Sequence, residues 1–376
     1  MDSKKEFMRL SHISIFLIVL IVTLVVGCIN EQPSMPKSEQ VMTNTTHQIS
    51  QSSTGTWTFA VFGDSRDNTK DTTTGVSQYL NIIAVAVAAE KPDLVMYNGD
   101  LVSGWIISNS SPVATDYTAQ FRNWMNEVEP IHNYTSGRGI PLYVIRGNHE
   151  DGPNATVIPL LNAYLTTVAM DMPLNGPLGE EKLTYSFTWK GAKFIAIDDY
   201  FPHDGLKETV NQSWVDKELM SGTKPFIFVF GHTPAYLVDS DTDDKGYDLA
   251  VHPQQRDAFW NSLAKNNASA YFSGHAHLYV RGEIQGVQQV VSGNGGAMGH
   301  SFNSSEADPA LKIEYPITES DKKGNNVGYV IITVNETART MNAVQKVYDP
   351  DTKVWRIGDK FSLTSSGAVI TNKTVQ

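Results

Sequence analysis

Along most of this chain the apolar positions fall in short unbroken runs, and each run stops at a polar loop containing glycine. The runs are Thr58 to Phe62 before Gly63-Asp64-Ser65-Arg66, Asp93 to Tyr97 before Asn98-Gly99-Asp100, and Pro141 to Ile145 before Arg146-Gly147-Asn148-His149-Glu150. Two more are Phe226 to Phe230 before Gly231-His232 and Ala270 to Ser273 before Gly274-His275-Ala276-His277. Runs of this kind predict strands buried on both faces. Helical stretches are predicted between them, over Val76 to Glu90, Ala119 to Val128, Thr156 to Thr167, Ser213 to Leu219 and Pro253 to Lys265. Pro253 suits a first helical turn, and Lys91-Pro92 ends the first helix. Alternating strands and helices predict an α/β architecture, in which ligands collect beyond the carboxyl ends of the strands. All five polar clusters fall at such ends. After Lys265 the pattern turns to strands (Gln288 to Val291, Val327 to Val334, Met341 to Tyr348) around the loop Gly293-Asn294-Gly295-Gly296. These read as the second half of one sandwich.

The N-terminus has a different pattern. Lys4, Lys5 and Arg9 precede an apolar run from Ile13 to Val26, broken only by Ser14 and Thr23. A charged segment before an apolar run shorter than about 20 residues has the form of an export signal. The run ends Val25-Val26-Gly27-Cys28, which resembles the lipobox of secreted lipoproteins, with Cys28 as the lipidated residue; an uncleaved anchor helix is the other reading. Both predict an extracytoplasmic body held at a membrane by lipid or helix. Residues 1–28 are thus signal or anchor, 29–55 a flexible Ser/Thr/Gln-rich spacer, 56–365 one folded domain and 366–376 a tail. Asn-x-Ser/Thr sequons occur at Asn44, Asn109, Asn133, Asn154, Asn211, Asn267, Asn303, Asn335 and Asn372, more than the composition gives by chance, and predict a glycosylated surface.

Composition narrows the chemistry. A single cysteine in 376 residues excludes an intramolecular disulfide framework and thiolate zinc sites. The net charge of −11 argues against nucleic-acid binding, which needs a basic face. Four of the ten histidines (His149, His232, His275, His277) follow directly on buried-strand runs, beside Asp64, Asp100 and Asn148. Carboxylate, amide oxygen and imidazole form a donor set for Mn, Fe or Zn. Two metals need one shared carboxylate, and Asp100 is the candidate bridge. His203, His252 and His300 are weaker candidates, with His300 the best placed. Asp198 and Asp199 suit a pocket edge or a turn. Trp105, Trp124 and Tyr134 suit the core or a cap over the site.

Taken in order, Asp64, Gly99-Asp100, Gly147-Asn148-His149-Glu150, Gly231-His232 and Gly274-His275-Ala276-His277 resemble the five motifs of the calcineurin-like metallophosphoesterases. The resemblance implies a four-layer αββα sandwich, two mixed β-sheets face to face with helices outside, and a two-metal hydrolase. One metal would take Asp64, Asp100 and His277; the other would take Asp100, Asn148, His232 and His275. His149 would donate a proton to the leaving oxygen or clamp the phosphoryl group, and Glu150 would orient His149 or pack behind it. The implied reaction is hydrolysis of a phosphomonoester or phosphodiester, on a small molecule or a surface substrate, by a metal-held hydroxide. A metal- or phosphate-binding surface lipoprotein of the same fold, without turnover, is the alternative.

The first motif of that family is usually Asp-x-His, and here its third position is Arg66. Arginine stays protonated and is not an ordinary ligand, so the first site is expected to be weaker, differently filled, or completed by Asp67 or water. Arg66 suits a bidentate phosphate contact, or an ion pair to Asp67 or Glu150. No tyrosine follows Asp100 in Gly99-Asp100-Leu101-Val102-Ser103, so a ferric-tyrosinate centre of the purple acid phosphatase type is not expected.

Overall fold

The computed structural model describes residues 55–365, apart from 68–73, 109–110, 114–115, 153–156, 223, 239–247, 316–317, 319–320 and 325. Cys28, the spacer, the tail and the sequons at Asn44, Asn109, Asn154 and Asn372 lie outside the described residues. Among the described residues, no helix is long and apolar enough to cross a membrane.

The chain runs through β1 (Thr56–Phe62), α1 (Leu80–Glu90), β2 (Leu94–Tyr97), the hairpin β3 (Ile106–Ser108) and β4 (Ser111–Val113), and α2 (Tyr117–Glu127). Next come β5 (His132–Asn133), β6 (Arg138–Gly139), β7 (Leu142–Val144), the single turn α3 (Asn148–Asp151) and α4 (Val157–Thr166). Then follow β8 (Tyr185–Trp189), β9 (Ala192–Ala196), α5 (Gln212–Met220), β10 (Phe226–Phe230), α6 (Pro253–Lys265) and β11 (Ala270–Ser273). The last strands are β12 (Tyr279–Ile284), β13 (Val287–Ser292), β14 (Lys312–Ile313), β15 (Val327–Asn335), β16 (Thr340–Asp349) and β17 (Val354–Thr364).

Two mixed sheets form the middle of the molecule. The first runs β17-β16-β15-β1-β2-β7 and the second β14-β12-β13-β11-β10-β9-β8. β1 pairs in parallel with β2 and antiparallel with β15, so the late strands complete the sheet that the first strand begins. The pleat explains how the sheets meet. Phe59 sends its ring between the sheets, 5.3 Å from Phe194 of β9, 5.0 Å from Phe228 of β10 and 6.2 Å from Phe272 of β11. Phe62 lies on the opposite face, against Tyr97, whose ring is 5.0 Å from Trp124 of α2. In the second sheet Tyr271 faces outward to Phe259 and Trp260 of α6. Alternate residues of one strand thus serve two layers, which gives the expected four-layer sandwich. Phe59 and Phe272 are fully buried, and truncating such a ring to alanine costs about 3–5 kcal/mol.

The structure departs from the sequence pattern in particular places. The first helix starts at Leu80, not Val76, because Ser77 is tied into the neighbouring loops. Its N–H donates to the Ser65 carbonyl, its Oγ donates to the Gly296 carbonyl, and the Tyr79 N–H donates back to that Oγ. β12 and β17 were not expected. β12 carries Arg281, buried and donating to Asp359 Oδ2 on β17, so a charge interrupts the apolar reading of both strands. β17 is an edge strand with an irregular register opposite Gln345 and Lys346, and edges tolerate such polar interruptions.

Candidate metal centre

The loops that follow β1, β2, β7, β10 and β11 converge, and the backbone shows the cost of bringing them together. Asp64, Asp100 and His275 hold left-handed conformations, with φ of 65°, 51° and 67°. Such conformations cost a non-glycine residue roughly 1–2 kcal/mol each and persist only where surroundings enforce them. The enforcing contacts are visible. The Asp64 N–H donates to the Gly99 carbonyl and the Ser65 N–H to the Asp100 carbonyl, each at 2.9 Å. The His275 N–H donates to the Asp64 carboxylate at 3.0 Å. Close approach is required at Gly274 and Gly147, where a Cβ would collide with Asp64 and Asp100 respectively.

Asp64, Asp100 and His277, all buried, each present a donor atom within 4.8 Å of the others. His277 Nδ1 donates to the Met298 carbonyl at 2.8 Å, which leaves Nε2 facing Asp64 Oδ1 at 3.7 Å. Beside this trio Asn148 Oδ1 lies 3.1 Å from His232 Nε2 and 3.1 Å from His275 Nδ1, and His232 Nε2 lies 3.3 Å from Asp100 Oδ1. His232 Nδ1 donates to the Asn98 carbonyl at 2.6 Å, which fixes the proton there. Its Nε2 is therefore a lone pair aimed at two further acceptors.

Acceptors facing acceptors in a buried place are what a cation site requires. Burial, with the Arg66 guanidinium second, pushes His232 down to about 3; the same causes, joined by His300, hold His277 well below its usual value. Both rings are therefore neutral ligands at pH 7. Asp64 and Asp100 bring two buried carboxylates to one place, and burying like charges together is costly unless positive charge is near. The residues present fit divalent cations.

Arg66 reaches Asp100, a partner that the sequence reading did not offer. Its Nε stands 3.6 Å from Asp100 Oδ2, on the shared carboxylate itself. Glu150 lies buried behind the ligand loops. Its carboxylate accepts from the N–H groups of Gly147 (2.9 Å), Asp100 (3.0 Å) and Val102 (3.1 Å), so it braces the two ligand loops and does not orient the His149 ring. Burial and the nearby Asp100 push it up to about 8. His149 is oriented by the Ser103 carbonyl, 2.7 Å from Nδ1, and by Trp105, stacked at 5.6 Å and 7°. Trp124 is fully buried, edge-on to Tyr97.

Several contributors carry no sequence signal, because backbone carbonyls do the work: Asn98 for His232, Met298 for His277, Ser103 for His149. Asp199 was legible as a polar residue at a strand end. Its Oδ2 accepts from the N–H groups of His232 (3.0 Å) and Thr233 (2.7 Å) and from Thr233 Oγ1. Asp198 instead pairs with buried Arg146 at 2.9 Å. His203 bonds Glu180 and Thr209, each at 3.1 Å, while the His300 ring lies 4.4 Å from that of His277.

The chain matches the family model for the calcineurin-like phosphoesterases over residues 58–279, more than half its length, and belongs to that family. That family uses a dinuclear metal centre. A search of the curated proteins gave no match. Among solved structures the chain is similar to the purple acid phosphatase PPD1 from yellow lupin (Lupinus luteus) seeds, with a TM-score of 0.55 and 16% identity over 85% of this chain and 57% of that one. It spans little more than half of the lupin enzyme. It is also similar to PhoD (TM-score 0.57, 17% identity, 85% and 72% covered) and to GAP50 of Plasmodium (0.50, 14%, 85% and 90%). Likeness at these identities shows the fold.

Proposed function

We propose that the chain hydrolyses phosphomonoesters or phosphodiesters outside the cytoplasm, at the membrane that its N-terminus holds. The observation that carries the chemistry is the buried meeting of Asp64, Asp100 and His277 beside Asn148, His232 and His275. The first three would hold one cation and Asp100 with the others a second, with Mn, Fe or Zn suited to the donors. Lewis acidity at the phosphoryl group and at the attacking water is the chemistry the cations supply when bound. His149 handles the proton. Burial and then Arg66 push its imidazole down to about 4, so Nε2 carries a lone pair at pH 7. An anionic phosphoryl group beside Nε2 favours the protonated ring, so the proton for the leaving oxygen arrives with the substrate. Arg66 would meet a phosphoryl oxygen through its fork while remaining near Asp100.

The location rests on sequence features: the apolar run into Cys28 and the sequons. Exposed Asn267 and Asn303 suit glycosylation, whereas the Asn211 amide caps α5 by accepting from the Trp214 N–H and is already engaged. A second reading, a surface metal- or phosphate-binding protein without turnover, is favoured by the guanidinium on the shared carboxylate. The lookalike GAP50 is described as the anchor in an inner membrane complex. The test is a chelated sample given Mn, Co or Zn with p-nitrophenyl phosphate and its bis ester. Metal-dependent nitrophenol release is expected, and metal uptake without product selects the second reading. For the anchor, Cys28→Ser should release the protein from membranes, and full retention would leave the uncleaved helix.

A further inference from the structure

A cavity of about 620 Å³ shares two residues with the metal centre. One is Arg66, in contact with Asp100; the other is Met298, whose carbonyl fixes His277. The walls are built by closely approaching backbone. Gly299 and Gly324 face each other so tightly that a Cβ on either would strike the carbonyl of the other, and Gly296, at φ 125°, lies against Ser77. The volume is that of a small-molecule site and far exceeds what a phosphate needs. The lining is divided in character. Tyr79, Met298 and Val327 give apolar surface, and Met298 is 71% exposed despite its size. Asp67 and Asp351 give two carboxylates, and Arg66, the one basic residue on this wall among the described residues, already serves Asp100.

An aromatic ring, a thioether and carboxylates together suit an organic cation. We infer that this cavity receives the alcohol half of the substrate and that this alcohol carries a positively charged nitrogen, as an amino alcohol or quaternary ammonium alcohol does. The inference rests on the phosphoesterase reading and names the substrate class within it. In the reaction one water is consumed. Its oxygen joins phosphorus, the P–O bond to the alcohol breaks, and the alcohol oxygen keeps the electron pair and takes a proton. Arg66, between cavity and centre, then marks the junction of phosphoryl group and alcohol.

The test compares phosphocholine with 3,3-dimethylbutyl phosphate, which has the same shape without the positive charge. Binding of each to the full chain is measured by calorimetry, and phosphate release is followed separately. Phosphocholine should bind about tenfold more tightly, the size of a cation over a ring with a partly solvated carboxylate. Asp351 is exposed, so Asp351→Asn should fold normally and reduce the ratio to about threefold. Equal affinities in the wild type, or a ratio untouched by Asp351→Asn, would overturn the inference. A tenfold ratio with no phosphoester hydrolysed supports the cavity and sinks the phosphoesterase reading. Aryl phosphate turnover with equal affinities does the reverse.

Discussion

On one side of the metal centre Asn148, His232 and His275 meet through atoms 3.1 Å apart; on the other, His277 stands 3.7 Å from Asp64 while Arg66 lies 3.6 Å from the carboxylate both sides share. The first group is neutral apart from Asp100, and its lone pairs converge as a cation would need. The second group has two carboxylates and a resident positive charge. A cation entering there gains less, because part of the charge it would offset is offset already. Bracing differs too: the Asp199 carboxylate holds the His232 N–H at 3.0 Å, whereas the His277 N–H donates to the His300 imidazole at a longer 3.4 Å. The two halves of one centre should therefore differ in affinity, with the Asn148 side the tighter.

Asp100 tests the premise that the halves are joined. Asp100→Ala should lower aryl phosphate turnover by about three orders of magnitude and reduce metal content on both sides. Turnover within tenfold of wild type, at full metal content, would separate the halves. The next pair tests their inequality. Asn148→Ala should weaken the tightly held metal by about a hundredfold and His277→Ala should leave it within about tenfold, as read by titration against a chelator. The reverse order would break the comparison. Smaller again is Asp199→Asn, which loosens the backbone of His232 without touching a ligand atom and should cost about tenfold in metal affinity on the Asn148 side. No change would make Asp199 part of the scaffold only.

Much of this was written in local pattern. Strands at Phe226–Phe230 and Ala270–Ser273 appear where the unbroken apolar runs place them, because a strand buried on both faces has no polar side to alternate. The ligand loops are legible for the same reason: a polar side chain just after such a run has few places to go. What stayed hidden was held by partners distant in sequence. Arg281 is buried in β12 because Asp359, on an edge strand, and Glu314, beyond β14, receive it. Arg66 could be seen as a departure from the family motif, but its partner Asp100 could not, since Asp67 and Glu150 offered equally good charges. Glu150 was placed near His149 by adjacency, yet on a single helical turn adjacent side chains diverge, and its carboxylate turns to the amides of Gly147, Asp100 and Val102.

The smallest expected effect on rate is also the sharpest on the comparison. If Arg66 occupies charge that a first-side cation would otherwise offset, the wild type after exhaustive dialysis should hold about one divalent ion per chain, on the Asn148 side. Arg66→His removes the guanidinium and offers an imidazole in its place, so the retained metal should rise to about two per chain, while aryl phosphate turnover changes by only a few-fold. Arg66→Ala separates the two causes. Two ions there as well would make the lost positive charge sufficient; a count still near one would show that the added ligand is needed. Because Arg66 is partly exposed and its contact with Asp100 is long, at 3.6 Å, neither variant should endanger the fold. Two tightly held ions in the wild type would mean that the guanidinium and the cation share Asp100 without competing, and the asymmetry between the halves would then lie in the bracing of His232 and His277 alone.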